Sequence, residues 1–256
     1  MSANPRLTDW HGRRTWIVGA SSGIGLAVAE ALHARGAQVI VSARQATRLA
    51  EWAALAPRRS ALPLDVTQRA DVEQAAARLW ADGPLDLVLH AAAHYQPQRA
   101  TALDLDELLR HQRINVEGAL HVVAAVVPRL LTQRSGHLSL IASVAGWRGL
   151  PQALAYGPTK AALLHLAEIL HLELRPHGIG VSVINPGFVA TPLTARNTFR
   201  MPALISPQQA AHHILRGWAR GAFDIHFPKR FTLLLRLLRC LPYPMYFALV
   251  RRLTGG

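Results

Sequence analysis

The sequence predicts an α/β protein built on one parallel sheet with helices on both faces. Three observations carry that expectation. Six short runs rich in Val, Ile and Leu, without polar alternation, look like strands buried on both sides. Longer segments with helical period separate them, and this alternation is the pattern of a doubly wound sheet. The 256 residues, half of them apolar, suffice for one large domain with a sizeable core, which excludes disordered, collagen-like and coiled-coil chains.

Strands are predicted at 14–18, 38–42, 61–64, 85–89, 137–142 and 180–184, and helices at 23–35, 46–55, 68–81, 105–131 and 156–176. Residues 1–11 read as an N-terminal arm, 12–226 as the domain and 227–256 as a C-terminal helical extension that is both basic and apolar. No signal-peptide pattern opens the chain, and no run of eighteen uncharged apolar residues predicts a spanning helix. Cys240 is the only cysteine, which fits a reducing compartment and leaves no disulfide or thiolate metal site. A cytoplasmic protein, with the extension resting on a membrane surface as one alternative, is the expectation.

The net charge of +13 is unevenly spread: residues 1–173 carry +3, and residues 174–256 carry +10 with Asp224 as their one acid. The basic tail is interleaved with leucine rather than with stacking aromatics or glycine, which argues against nucleic acid as partner. Salt-dependent nucleic-acid binding is kept as a minor alternative. Thirteen histidines invite a metal reading, but there is no His-Glu-x-x-His and no cysteine–histidine spacing, so no metal is expected.

Chemistry concentrates at two places. The first strand runs into Gly19-Ala-Ser-Ser-Gly23-Ile-Gly25 and then a helix pattern. Glycines at such a turn let backbone approach a pyrophosphate, and the helix N-terminus supplies free N–H groups. An ordinary tight turn is the bland alternative; the strand-before, helix-after context favours a dinucleotide. The second strand ends Ile40-Val-Ser-Ala43-Arg44, with no carboxylate for a ribose 2′-hydroxyl and an arginine suited to a 2′-phosphate. NADP(H) is therefore preferred over NAD(H), with one more surface arginine among many as the bland alternative for Arg44. Asp65 is either an acceptor for an adenine amino group or the N-cap of the next helix.

The second place is Tyr156-Gly-Pro-Thr-Lys160, which opens a helix with the tyrosine and lysine on one face. With four tyrosines and two lysines in the chain, chance gives this spacing about 0.03 times. A nearby ammonium favours phenolate and is expected to lower the tyrosine pKa, making it a usable acid or base. Ser143 follows a predicted strand, where a hydroxyl can bond a carbonyl; alone it is an ordinary loop serine. Asn115 sits mid-helix, where asparagine has poor propensity, a broken local rule that hints at function.

Together these residues resemble the short-chain dehydrogenase/reductase superfamily over roughly residues 12–226. Gly19, Ser21, Ser22, Gly23, Ile24 and Gly25 match its cofactor loop, with Val18 where threonine is usual, and Asp65 and Val66 match its adenine-contacting segment. Asn115, Ser143, Tyr156 and Lys160 match its four catalytic positions in order. Pro186, Gly187, Val189 and Thr191 match the segment that meets the nicotinamide carboxamide and the phosphates, and Ala91 the cofactor-facing turn after the fourth strand. The resemblance implies a Rossmann-like single domain in which Tyr156 donates the proton and Ser143 orients the carbonyl. It further implies that Lys160 holds the nicotinamide ribose and that Asn115 maintains a proton relay. One departure stands out: His90-Ala91-Ala92-Ala93 replaces the usual Asn-Asn-Ala-Gly, so the strand-tying side chain is missing unless His90 substitutes.

The implied activity interconverts a carbonyl and a secondary alcohol. Leu193, Phe199, Met201, Leu204 and Ile205 in the expected pocket segment 192–207 point to a small apolar, lipid-like substrate. An NAD-dependent dehydrogenase with the same residues, or a nucleotide-binding sensor or scaffold without turnover, are the alternatives; the complete catalytic set speaks against the latter. A homodimer or homotetramer through the long helices 105–131 and 156–176 is expected. In the tail, Lys229, Thr232, Arg236 and Arg239 form a polar stripe on a leucine-rich helix that Pro242 and Pro244 break. The tail reads either as a helix packed over the pocket or a subunit contact, or as an in-plane anchor on an anionic membrane surface through 229–256.

Overall fold

The computed structural model describes residues 2–254 apart from Thr198 and Arg200. Met1 of the arm, Thr198 and Arg200 of the pocket segment, and Gly255 and Gly256 of the extension therefore lie outside the described residues. Seven parallel strands form one sheet in the order β3-β2-β1-β4-β5-β6-β7. They are β1 Arg14–Val18, β2 Gln38–Ser42, β3 Arg59–Ala61, β4 Leu87–His90, β5 His137–Ile141, β6 Gly180–Pro186 and β7 Asp224–Phe227. Helices α1 Gly23–His33, α2 Ala46–Ala54, α3 Arg69–Ala81, α4 Leu105–His111, α5 Gly118–Gln133, α6 Tyr156–Leu174 and α7 Pro207–Ala219 intervene. Helices α8 Lys229–Arg239 and α9 Tyr243–Thr254 end the chain.

Burial follows the sequence pattern. Every residue of β4, β5 and β6 is buried, because helices cover both faces of the sheet. One core holds Trp16, Val88, Leu138 and Val181 against α3, α5 and α6; the other holds Ile17, Leu89 and Ile184 against α1 and α7. The order reverses between β1 and β4, so their carboxyl ends diverge and open a crevice, the usual ligand position in such sheets.

Four differences from the sequence pattern have physical causes. The third strand is Arg59–Ala61 rather than 61–64; beyond it only single backbone bonds continue, from the Leu62 N–H to the Val41 carbonyl at 2.9 Å and from the Leu64 N–H to the Ala43 carbonyl at 3.2 Å, and they carry Leu64 to the crevice. The pattern misses β7, whose Asp224-Ile-His-Phe227 alternates polar and apolar and so lacks an apolar run. It also misses α7, although Ser206 and Gln209 form a capping box with Pro207 at the first position. The long predicted helix 105–131 is two α-helices joined by a π-helical turn at Gln112–Glu117, which contains Asn115. This stretch, Leu105–Gln133, is long and apolar enough to cross a membrane, yet Ala119, Val122, Val126 and Leu130 are fully buried in the core.

The arm and the extension are both tied to the domain. Asn4 exchanges hydrogen bonds with Val181, donating from Nδ2 to its carbonyl at 2.7 Å and accepting from its N–H at 3.0 Å. Trp10 is buried against Trp218 with ring centroids 5.7 Å apart. Thr232 of α8 is fully buried, and its hydroxyl lies 2.7 Å from Nδ1 of His226 on β7.

Candidate active site

Most of the residues singled out in the sequence line one cleft at the carboxyl ends of the strands. Its floor is the turn Gly19 to Gly25, Arg44 stands at one end, and Ser143, Tyr156 and Lys160 stand at the other. Asp65, Val66, Ala91, Pro186, Gly187, Val189 and Thr191 complete the predicted set within it. Asn115 is fully buried and does not line the cleft, and of the residues expected in the pocket segment Leu193 lines it while Phe199, Met201, Leu204 and Ile205 do not.

The glycine turn is forced by close approach. Gly19 has φ +92°, and a Cβ there would stand 2.3 Å from the backbone nitrogen of Ala92. A Cβ on Gly25 would stand 2.3 Å from the Gly19 carbonyl oxygen. Helix α1 therefore begins directly under the crevice. Ser22 at its N-cap makes no capping hydrogen bond, and its first turn holds no acid, so its N–H groups and positive dipole face the cleft. These features fit a diphosphate bridge. Arg44 is exposed at the rim and makes no ion pair or side-chain hydrogen bond among the described residues. Asp65 is not a helix cap: α3 begins at Arg69 after Gln68, and Asp65 Oδ1 instead accepts from the Thr67 N–H and hydroxyl, both at 2.9 Å. Its second oxygen carries no hydrogen bond among the described residues.

At the other end, Ser143 sits two residues past β5 at the head of a short 3-10 turn, and the first two turns of α6 deliver Tyr156 and Lys160. Ser143 Oγ accepts from the Ala145 N–H at 3.1 Å, which orients the hydroxyl beside Tyr156. Lys160, 1% exposed, donates from Nζ to the Ile141 carbonyl at 2.8 Å, and Nζ lies 5.4 Å from the Tyr156 ring centre. Burial pulls the lysine pKa down to about 7. Burial likewise raises the Tyr156 hydroxyl above its ordinary value; the Ser143 hydroxyl opposes that rise and Tyr95 adds to it. The expected lowering of the tyrosine by lysine is thus corrected: an ammonium this close to losing its proton, and aimed at a carbonyl, leaves burial in control.

Asn115 sits behind the cleft wall, in the π-helical turn. Its Oδ1 accepts from the His94 N–H at 2.6 Å, and its Nδ2 donates to the His94 carbonyl and to Thr159 Oγ1, both at 3.0 Å. The side chain locks the loop after β4 to the first turn of α6, one residue before Lys160. The π-helical turn projects it inward.

His90 does not substitute for the missing strand-tying side chain. It is buried with both ring nitrogens unpartnered among the described residues, and burial, with the Lys160 charge second, holds its pKa down at about 3. Backbone ties the strands instead: the Ala91 N–H donates to the Val18 carbonyl at 2.7 Å. Small alanines at 91 and 92 allow the approach of Gly19.

Two residues that the sequence pattern left out border the site. Tyr95 packs edge-on against Tyr156 at 5.0 Å and donates its hydroxyl to Asn197 Oδ1 at 2.6 Å. His94 lines the cleft, and its ring pairs with Glu107. His111 completes that cluster, with Nδ1 2.8 Å from the Glu107 carbonyl oxygen and Nε2 accepting from the Gln96 N–H at 3.1 Å. Both of its nitrogens are engaged within the protein, which makes this a hydrogen-bonded brace for the loop. Only the position of Tyr95 and His94 just past a strand end marked them in the sequence.

A dinucleotide cradle and a Ser–Tyr–Lys wall in one cleft of a doubly wound sheet define a nucleotide-dependent oxidoreductase. Residues 13–201 match the short chain dehydrogenase family, and the chain belongs to that family. It is similar to an uncharacterized oxidoreductase of Myxococcus xanthus, 35% identical over 249 residues, which cover 94% of this chain and 97% of the relative. Its fold is that of a short chain dehydrogenase from Burkholderia cenocepacia in complex with NADP, with TM-score 0.84 and 24% identity, covering 94% of this chain and 99% of that one. A short chain dehydrogenase/reductase from Burkholderia phymatum in complex with NAD has TM-score 0.81 and 24% identity, covering 90% and 94% of the two chains. The protein is an NAD(P)-dependent oxidoreductase of this family.

Proposed function

We propose that the protein is an NADP(H)-dependent oxidoreductase that interconverts a carbonyl and a secondary alcohol on an apolar substrate. The observation that carries the reading is the cleft itself, with Ser143, Tyr156 and Lys160 at one end and an unpaired Arg44 at the other. A bound nicotinamide supplies or accepts the hydride. Ser143, its hydroxyl already oriented by the Ala145 N–H, holds the substrate oxygen. Tyr156, kept protonated by its surroundings, gives that oxygen its proton in reduction and takes it back in oxidation. Lys160 offers its buried amine to the sugar hydroxyls, and Asn115 keeps the first turn of α6 in place.

The specificity readings rest on charge and on lining. The second strand ends without an acid where a bare ribose would be gripped, and Arg44 there supports NADP(H) over NAD(H). Leu193 lines the cleft, and Phe199 packs on Phe188 at 5.7 Å, which supports an apolar ligand.

The test is turnover of a panel of ketones, aldehydes and lipid carbonyls with NADPH and NADH in parallel. Turnover that favours NADPH supports the proposal. Tyr156→Phe should lower kcat by about 10²–10⁴-fold while fluorescence titration shows cofactor binding unchanged. Near-wild-type turnover in that variant would refute the assigned role.

A further inference from the structure

The last two helices are amphipathic with the apolar side turned outward. In α8 the polar residues face the sheet: Thr232 meets His226, Lys229 donates from Nζ to His226 Nε2 at 2.9 Å, and Arg236 pairs with Asp224. The opposite ridge starts at Arg230 and presents Leu233, Leu234 and Leu237, which are 54%, 53% and 67% exposed. In α9, Tyr246 turns inward and donates to the Gly149 carbonyl at 2.7 Å, while Tyr243 and Phe247 stack on each other outside. Single exposed leucines are ordinary; a row of them on one helix, with exposed aromatics on the next, marks an interaction surface.

Charge decides what the surface fits. Arg230, Arg239, Arg251 and Arg252 are exposed and have no ion-pair partner among the described residues. The segment 225–256 contains no acid, so a second copy seated on this face would set like charges against each other with nothing to neutralise them. A phosphate-rich bilayer surface offers what both components need, an apolar boundary for the leucines and anions for the arginines. At 11 residues, α8 is about 16 Å long, too short for a hydrocarbon core of roughly 30 Å, so it lies in the surface plane. We propose that α8 and α9 dock the protein flat on an anionic lipid bilayer.

The surface adjoins the cleft. Arg148, five residues past Ser143, donates to the carbonyls of Arg239 at 2.8 Å and Leu241 at 2.7 Å, and its guanidinium covers Tyr246 at 4.1 Å. Phe231 of α8 packs on Phe188 at 5.7 Å, beside Gly187 of the cleft. Resting on the function proposed above, docking sets the site at the boundary where an apolar carbonyl compound is dissolved.

The test is flotation of the full-length protein with vesicles, without substrate or cofactor, so its outcome is independent of turnover. The protein should float with vesicles containing phosphatidylglycerol and not with phosphatidylcholine alone. Added salt should weaken the binding without abolishing it. Arg251→Gln with Arg252→Gln should lower partitioning at least about tenfold, since each surface arginine contributes about fivefold. Replacing Leu233, Leu234 and Leu237 together by serine should remove the salt-resistant part with circular dichroism unchanged. A folded wild-type protein that ignores anionic vesicles at low salt overturns the proposal. So does a leucine variant that binds as wild type, or one whose only change is a smaller sedimenting mass, which would assign the face to a second copy.

Discussion

Arg44 and Lys160 are each held in an arrangement whose cost or purpose a substitution exposes. Arg44 has no side-chain partner among the described residues, so Arg44→Ala should leave thermal stability unchanged. It should weaken NADPH by about 1.5–3 kcal/mol, the worth of a charge-assisted hydrogen bond. NADH should be nearly unaffected; isothermal titration with both cofactors checks this, and equal weakening would make Arg44 a structural residue. Lys160 is costly in the opposite way. Its pKa falls from 10.5 in the unfolded chain to about 7 in the fold, so burial of the charge opposes folding in full below pH 7. As pH rises from 7 to 10.5 the unfolded chain still binds a proton that the folded one has lost, and the penalty fades. Lys160→Met should therefore abolish turnover and raise Tm by about 2–4 °C for each kcal/mol relieved. The gain should be largest below pH 7 and shrink towards pH 10.5. A gain independent of pH, followed by thermal scans, would mean that packing rather than charge is responsible.

Among the elements, the turn from β1 into α1 carries the tightest constraint. Gly19 combines φ +92° with no room for a Cβ, since the nearest backbone atom would lie at 2.3 Å. Gly19→Ala should cost about 1–3 kcal/mol in chemical denaturation and should also abolish cofactor binding, because the loop must move away from Ala92. The π-helical turn Gln112–Glu117 shows a constraint of another kind. It spends helix regularity to aim Asn115 between the His94 loop and Thr159. The poor helix propensity of asparagine was visible in the sequence; the irregular turn and its brace were not, because both partners come from other elements.

For the whole molecule, one side chain ties both tail helices to the domain at once. Arg148 caps the C-terminal carbonyls of α8 and stacks on Tyr243 and Tyr246 of α9. Arg148→Ala should lower stability by about 1.5–3 kcal/mol. Amide hydrogen exchange should speed up across residues 229–254 and leave β4 to β6 protected. Uniform acceleration over the sheet would show that the tail and the domain open as one unit.

The strands β1 and β2 match the sequence pattern residue for residue, and the glycine turn, Ser143, Tyr156 and Lys160 were all legible. Apolar runs, glycine spacing and a rare Tyr-x-x-x-Lys are local properties, written within a few residues of one another. Strand β7, the Tyr95 contact with Tyr156, the isolation of His90 and the inward turn of Arg236 depend on partners distant in the chain. The direction of the Lys160 and Tyr156 pKa shifts belongs with them. Local spacing says that an ammonium is near a phenol, but only the packed fold says how little water reaches either, and desolvation sets the direction of both shifts.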